Sequence, residues 1–365
     1  MTLTRFYYII LVSYAVKTLH FQYKEISMFD FIPDYVFLLV FGFLLLIKGG
    51  DWFVDAATGI AKRFKLPELL IGATVVSIGT TLPEVMTSAM GAMAGSGAIA
   101  YGNAIGSIIC NTSLIAALTI AIKPGKADKK ALVFPVCAFF AVAAFYAINA
   151  YVFEEFQLWT GIVLLCLFVV YMVVNVINMK KNPSSDEEED EALDCELPEK
   201  SSKLGLIKDI VVLIGSALVI ALGADLLVDS ATTIAKALNV PETIISLTIV
   251  ALGTSLPELV TAITALTKGH GALSLGNIIG ANIFNLVLVS GAAITINPFD
   301  VPADATFLGM NASFVFDIPL MIGVMALLTI PTLLRGKLSR WQGISLLALY
   351  GAYCVLQFVL IPMFP

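Results

Sequence analysis

Two hexapeptides hold the residues best placed to do chemistry: Gly79-Thr80-Thr81-Leu82-Pro83-Glu84 and Gly253-Thr254-Ser255-Leu256-Pro257-Glu258. In each, a glutamate lies deep in an apolar run, where a carboxylate at bilayer depth costs at least about 2.5 kcal/mol. A costly group that recurs in the same setting points to function more than to a pair of protonated glutamates hydrogen-bonded inside a bundle. Pro83 and Pro257 cannot donate to the carbonyls of Gly79 and Gly253, and their rings crowd those carbonyls, so each helix should open just before its glutamate. Gly79 and Gly253 are expected to permit the irregular backbone. Thr80, Thr81, Thr254 and Ser255 set hydroxyl and carbonyl oxygens beside the carboxylates. Broken helices at this depth line a cavity or are packed in protein. Two carboxylates with several neutral oxygens suit calcium, which takes about six to eight oxygen ligands. No sulfur or imidazole is expected nearby, which makes zinc and copper poor fits. Manganese and magnesium accept the same ligands and stay open.

A second polar stripe follows each hexapeptide. Asn103, Ser107 and Asn111 recur every four residues and so share a helix face, as do Asn277, Ala281 and Asn285. These amides and the hydroxyl are read as completing the coordination. Gly102 with Gly106, and Gly276 with Gly280, form small-xxx-small faces that bring helices close, and are assigned to packing.

The elements that position these residues follow from composition. Of 365 residues, 59% are hydrophobic and 13% charged, with a mean hydropathy of +0.93; soluble domains carry about a quarter charged residues. About ten apolar runs are long enough to cross a bilayer, at 35–57, 68–93, 98–122, 130–150, 157–178, 206–232, 241–267, 272–296, 309–334 and 341–363. Runs such as Leu158 to Val176 lack the alternation of a barrel strand, so the class is an all-α membrane protein. Lys62, Arg63, Lys65, Lys123, Lys126, Lys129, Lys130, Lys180, Lys181, Lys200, Lys203, Lys208, Lys268, Arg335, Lys337 and Arg340 fall in alternate loops, with Lys236 on the other side. That bias places both ends of the ten-span unit outside and the loop after the fifth span in the cytoplasm.

Much of the net charge of −6 sits in that one loop, where Asp186 to Asp190 open an acidic run that reads as a linker. The apolar stretch Phe6 to Val16 is too short to span, so residues 1–27 read as an interfacial extension or as sequence ahead of a true start at Met28. Cys110, Cys137, Cys166, Cys195 and Cys354 show no metal-ligand or redox spacing. Asp51, Asp55, Asp225 and Asp229 lie near helix ends, as cation guides or as solvated charge.

Shifting the chain by about 174 residues lays the first hexapeptide on the second, Gly102-Asn103 on Gly276-Asn277, and Asn111 and Pro124 on Asn285 and Pro298. About two-fifths of positions 66–124 are identical to their partners. Each copy holds five spans, an odd number, so the second enters the membrane from the opposite side. Such inverted repeats place their sites at the repeat interface near the midplane. The expected organisation is an N-terminal extension 1–34, a first five-helix repeat 35–178 with its core 66–124, an acidic cytoplasmic linker 179–205, and a second repeat 206–365 with its core 240–298.

With both motifs in hand, GTTLPE plus GNAIGSIICN and GTSLPE plus GNIIGANIFN, the chain resembles the cation/calcium exchanger superfamily, in particular its prokaryotic sodium/calcium exchanger-like branch. The resemblance runs from about residue 35 to the end. It implies a secondary antiporter of the cell (inner) membrane that exchanges calcium for sodium by alternating access, spans one and six sliding past the rest. It also implies that Glu84 and Glu258 are central ligands with Thr80 and Thr254 beside them, and that Thr81, Ser255, Ser107 and Asn111 match flanking sodium positions. Some relatives have serine where this chain has Ala281 and aspartate where it has Asn285, which leaves the sodium stoichiometry open. Proton/calcium exchange also stays open, since two carboxylates are neutralised by one calcium or by two protons. The partners expected are small inorganic cations and the lipid bilayer, with no nucleic acid and no resident cofactor. A channel fits the broken helices less well, and no enzyme constellation is present: His20 and His270 lie in the extension and a loop.

Overall fold

The computed structural model of the chain describes residues 28–64, 68–181, 203–237, 251–303 and 306–363. The short N-terminal apolar stretch, the acidic run with Cys195, and the start of the seventh expected span, with Pro241 and Glu242, lie outside the described residues. Helix α1 is Met28–Phe64, and α2 runs from Glu68–Ile71 through a π-helical turn at Gly72–Val76 to Ser77–Thr80. Then follow α3 Leu82–Met93, α4 Gly97–Ile122, α5 Lys129–Phe153, α6 Leu158–Lys181 and α7 Lys203–Ala237. The second half continues with α8 Ala251–Thr254, α9 Leu256–Thr267, α10 Gly271–Ile296, α11 Ser313–Arg335 and α12 Arg340–Val355, the last carried on to Met363.

Seven of these helices are long and apolar enough to cross a membrane uninterrupted. The other three expected spans are α12 and the two broken pairs, α2–α3 and α8–α9, giving ten spans in two inverted five-helix repeats. The ninth span starts later than expected. Residues from 306 onward form a ribbon, β3 Thr306–Phe307 with β4 Met310–Asn311, turning at Leu308 and Gly309 with φ of 53° and 75°. That reversal delays the helix to Ser313. A second ribbon pairs β1 Glu155–Phe156 with β2 Phe299–Asp300.

The repeat is visible in the backbone. Gly95 after α3 and Gly269 after α9 are repeat partners, and both take the left-handed conformation, φ 79° and 90°. Each closes the same helix end: Ser96 N donates to Gly91 O at 2.8 Å, and His270 N to Ala265 O at 2.8 Å. This reversal needs a residue without a Cβ penalty, which accounts for the identity.

The connections sort to two ends of the bundle, as an alternating chain requires. At one end Ala127 N donates to Gly336 O, Leu338 N to Gly125 O and Lys129 Nζ to Leu334 O, while Arg63 pairs with Asp209 at 2.8 Å. At the other, β1 pairs with β2 and Asn297 Nδ2 donates to Ala92 O at 3.1 Å. The first end gathers the lysine and arginine loops.

Helices α1 and α7 form one layer, packed along each other. A Cβ on Gly49 would stand 2.8 Å from Ile220 Cγ1, and one on its repeat partner Gly223 would stand 2.8 Å from Gly42 O, so the helices cross through these glycines. A hydrophobic cluster including Leu46, Phe53, Ile71, Leu256 and Leu273 joins this layer to the rest. The larger core, with Ile105, Phe139, Tyr146, Phe284 and Met321, binds α4, α5, α6, α10 and α11 together. Asp51 and Asp55 of α1 remain partly exposed and share a cationic neighbour. Lys268, just past α9, reaches Asp55 Oδ1 at 2.7 Å and Asp51 Oδ1 at 3.8 Å.

The span-nine carboxylate Asp317 went unremarked in the sequence. Its Oδ1 accepts from Gln357 Nε2 at 2.9 Å and Tyr353 Oη at 3.2 Å, binding α11 to α12. Cys110 is buried, Cys354 half-buried, and Cys137 and Cys166 are exposed.

Candidate cation-binding site

Both expected helix breaks are present and alike. Thr81 and Ser255 separate the helical pieces at φ, ψ of −83°, −1° and −87°, 4°. Pro83 and Pro257 then stand in the first turns of α3 and α9, where a missing N–H costs least. Glu84 and Glu258 share those turns, so each carboxylate sits near the electropositive end of a helix. Both are fully buried. The backbone at Gly79 and Gly253 is not left-handed. Gly79 serves packing instead, since a Cβ there would meet the Phe53 ring of α1 at 2.9 Å.

The two repeats exchange neighbours. Thr81 Oγ1, from the first repeat, donates to Glu258 Oε1 at 3.4 Å, and Ser255, from the second, stands beside Glu84. Thr81 stands just before Glu84, so its bond to Glu258 brings the starts of the two glutamate helices together. Asn111 opens a π-helical turn, Asn111–Ala116, that packs on α9, and Asn285 opens another, Asn285–Val289, that packs on α3. Such turns cluster at functional sites. They bring each asparagine toward the glutamate helix of the opposite repeat.

Several buried polar atoms here have no hydrogen-bond partner among the described residues: Glu84 Oε1 and Oε2, Glu258 Oε2, Ser107 Oγ, Ser255 Oγ, and both side-chain polar atoms of Asn111 and Asn285. Buried polar groups are otherwise satisfied in folded proteins, so this concentration calls for a ligand. The free atoms are mostly oxygens, and three of them belong to the two carboxylates. That donor set accepts a hard cation.

The polar stripe divides in a way its spacing concealed. Asn103 and Asn277 are hydrogen-bonded across to the opposite repeat, whereas Asn111 and Asn285 have no side-chain partner among the described residues. Asn103 Oδ1 accepts from Thr254 Oγ1 at 3.1 Å, and its Nδ2 donates to Glu84 O at 3.0 Å and Ser88 Oγ at 2.8 Å. Asn277 Oδ1 accepts from Thr80 Oγ1 at 3.2 Å and Ser77 Oγ at 3.3 Å, and its Nδ2 donates to Thr261 Oγ1 at 3.0 Å. Thr80 also stands against the Glu258 carboxylate.

The glycine faces are described on one side. A Cβ at Gly276 would fall 2.1 Å from Leu69 O, and one at Gly280 2.3 Å from Ser77 Oγ, so α10 lies hard against α2. A Cβ at Gly102 or Gly106, the matching pair, would meet nothing within 4 Å among the described residues. The expectation that no sulfur lies near is corrected: Cys110 adjoins Asn111 and stands close to Ser255 and both glutamates. Among the described residues, no three His, Cys, Asp or Glu side chains form a metal cluster. Sequence reasoning also passed over Asn282, next to Ala281. Its Nδ2 donates to Thr112 Oγ1 at 2.7 Å, and its Oδ1 is buried and unpaired among the described residues.

Several known proteins are similar to this chain. The chain is 37% identical to the uncharacterized membrane protein MJ0091 of Methanocaldococcus jannaschii over 309 residues, 85% of this chain and 93% of the relative. It is 30% identical to the sodium/calcium exchanger MaX1 of Methanosarcina acetivorans over 349 residues, 88% and 97% of the two chains. The solved structure of the sodium-calcium exchanger NCX_Mj, soaked with 2.5 mM Na+ and 10 mM Sr2+, matches with a TM-score of 0.73 at 32% identity, covering 89% of this chain and 99% of that one. The sodium/calcium exchanger protein family model matches twice, at residues 35–177 and 208–359. With its two glutamate-bearing breaks facing each other across an inverted repeat, this chain belongs to the sodium/calcium exchanger protein family.

Proposed function

We propose that this chain exchanges calcium for sodium across the cell membrane by alternating access, at one site shared by both repeats. The observation that carries the reading is the buried group of unpaired oxygens around Glu84 and Glu258. Glu84 and Glu258 bind calcium, with Thr80 and Thr254 contributing oxygens. Thr81, Ser255, Ser107, Asn111 and Asn285 complete the positions that sodium and calcium compete for. The likeness to exchangers of sodium and calcium supports the choice of ions. The ions are cargo, and no resident cofactor is required.

Exchange needs a site that does not cross empty. Two bare carboxylates facing each other in a buried place repel, so reorientation is favourable only when cations neutralise them. The α1–α7 pair is the moving layer, because it is tied within itself by Arg63–Asp209 and by its glycine crossing. The end of the bundle bearing Arg63, Lys126, Lys129 and Lys337 faces the cytoplasm by the positive-inside rule. The acidic linker then lies in the cytoplasm and both ends of the ten-span unit outside.

Equilibrium binding to purified protein in detergent tests the shared site. Calcium binding should be displaced by sodium with a sigmoidal dependence, since more than one sodium must replace one calcium. Calcium binding that sodium leaves untouched would overturn the reading.

A further inference from the structure

The π-helical turn that carries Asn111 is gripped at the adjoining residue. Thr112 lies about a quarter-turn round the helix from Asn111. Its Oγ1 accepts from Asn282 Nδ2 of α10 at 2.7 Å and lies 3.4 Å from Met325 Sδ of α11, and Asn282 Nδ2 also reaches that sulfur at 3.2 Å. All three side chains are buried, so α4, α10 and α11 are knotted at one polar point. The knot belongs to one repeat. The places matching Asn282 and Thr112 are Ile108 and Leu286, and the turn that carries Asn285 is closed within its own helix, Ser290 Oγ donating to Asn285 O at 3.0 Å.

Packing alone does not account for an asparagine at 282. Its Oδ1 is buried with no partner among the described residues, an unmade bond that destabilises the fold and that a leucine of similar size would avoid. Asn111, for its part, needs a fixing point. Both polar atoms of its amide are buried and unpaired among the described residues, so no hydrogen bond of its own side chain sets its direction. The rotation of the turn sets it, and Asn282 holds that turn through Thr112. We propose that Asn282 is a positioning residue for sodium, which fixes the rotation of the π-helical turn and so aims the Asn111 amide at the cation site. The proposal rests on the assignment of Asn111 to the positions that sodium occupies.

Sodium displacement of calcium from purified protein tests it, read as the sodium chloride concentration that halves calcium binding at a fixed calcium chloride concentration. Asn282→Leu should raise that concentration about fivefold, the size of one hydrogen bond to a preoriented group, while calcium half-saturation moves less. Thr112→Val keeps the shape and removes the hydroxyl; it should do the same, and it serves if Asn282→Leu fails to fold. Combining the two should add nothing, since both break one contact. In an Asn111→Ala background Asn282→Leu should have no further effect, and in an Asn285→Ala background it should keep its full effect. A merely structural role would lower the thermal unfolding midpoint and act equally in both backgrounds. Equal effects in both, or sodium displacement unchanged in Asn282→Leu and Thr112→Val, would overturn the positioning role and leave the site assignment standing. Ion binding unaltered by Asn111→Ala, or wild-type calcium binding that sodium leaves untouched, would overturn both.

Discussion

Lys268 is the only ion-pair contact that α1 makes to the bundle beneath it among the described residues, and removing it should shift the balance between the two access states. Nζ lies 2.7 Å from Asp55 Oδ1 and 3.8 Å from Asp51 Oδ1, and the lysine, Asp55 and Asp51 side chains are 28%, 67% and 37% exposed. Exposed pairs contribute at most about 1 kcal/mol after screening, so the contact favours the described arrangement by about fivefold. The place matching Lys268 in the first repeat is Ala94, so this lysine itself is not duplicated. The assay is the distance distribution between spin labels at Phe64 on α1 and Thr267 on α9, both exposed, in a background cleared of the five cysteines. Lys268→Gln and Asp55→Asn should each move population away from the short-distance state by about fivefold, and the double variant should add little. High choline chloride should mimic them in the wild type by screening. Unchanged distributions in both variants would refute the latch.

Two other changes separate packing from chemistry. Gly276→Ala and Gly280→Ala would press a methyl into Leu69 O and Ser77 Oγ, and should destabilise the protein by about 1–3 kcal/mol in thermal unfolding; Gly323→Ala, which meets nothing within 4 Å, should not. Asp317→Asn should lower thermal stability by about 1–3 kcal/mol through its bonds to Tyr353 and Gln357. Calcium half-saturation should stay unchanged in that variant, and a large shift there would place Asp317 in the ion path.

How far the site could be read from the chain depended on duplication. A lone intramembrane glutamate is ambiguous, but Glu84 and Glu258 in matching hexapeptides, each just after a proline, mark a pair of broken helices whatever the packing. The proline argument placed the break correctly because it follows from a missing donor. It misassigned Gly79, whose constraint comes from Phe53 in another helix. The stripe Asn103, Ser107, Asn111 shows where spacing fails. Helical periodicity puts the three on one face, yet the π-helical turn starting at Asn111, which no residue type signals, and the cross-repeat threonines give the two asparagines different tasks. Cys110 was missed because thiols were weighed by their spacing to other thiols, whereas its neighbours come from another helix. Asp317 has no repeat partner, as Ala143 occupies the matching place, so the self-comparison that exposed the glutamates was blind to it.

The most direct test of the central claim is calcium uptake into proteoliposomes loaded with sodium, comparing wild type with Glu84→Gln and Glu258→Gln. The account predicts uptake that requires the outward sodium gradient and falls to the protein-free baseline in either variant, because each repeat supplies one of the two carboxylates that neutralise the ion. Sodium-driven uptake persisting in both variants, or wild-type uptake driven only by a proton gradient, would contradict it.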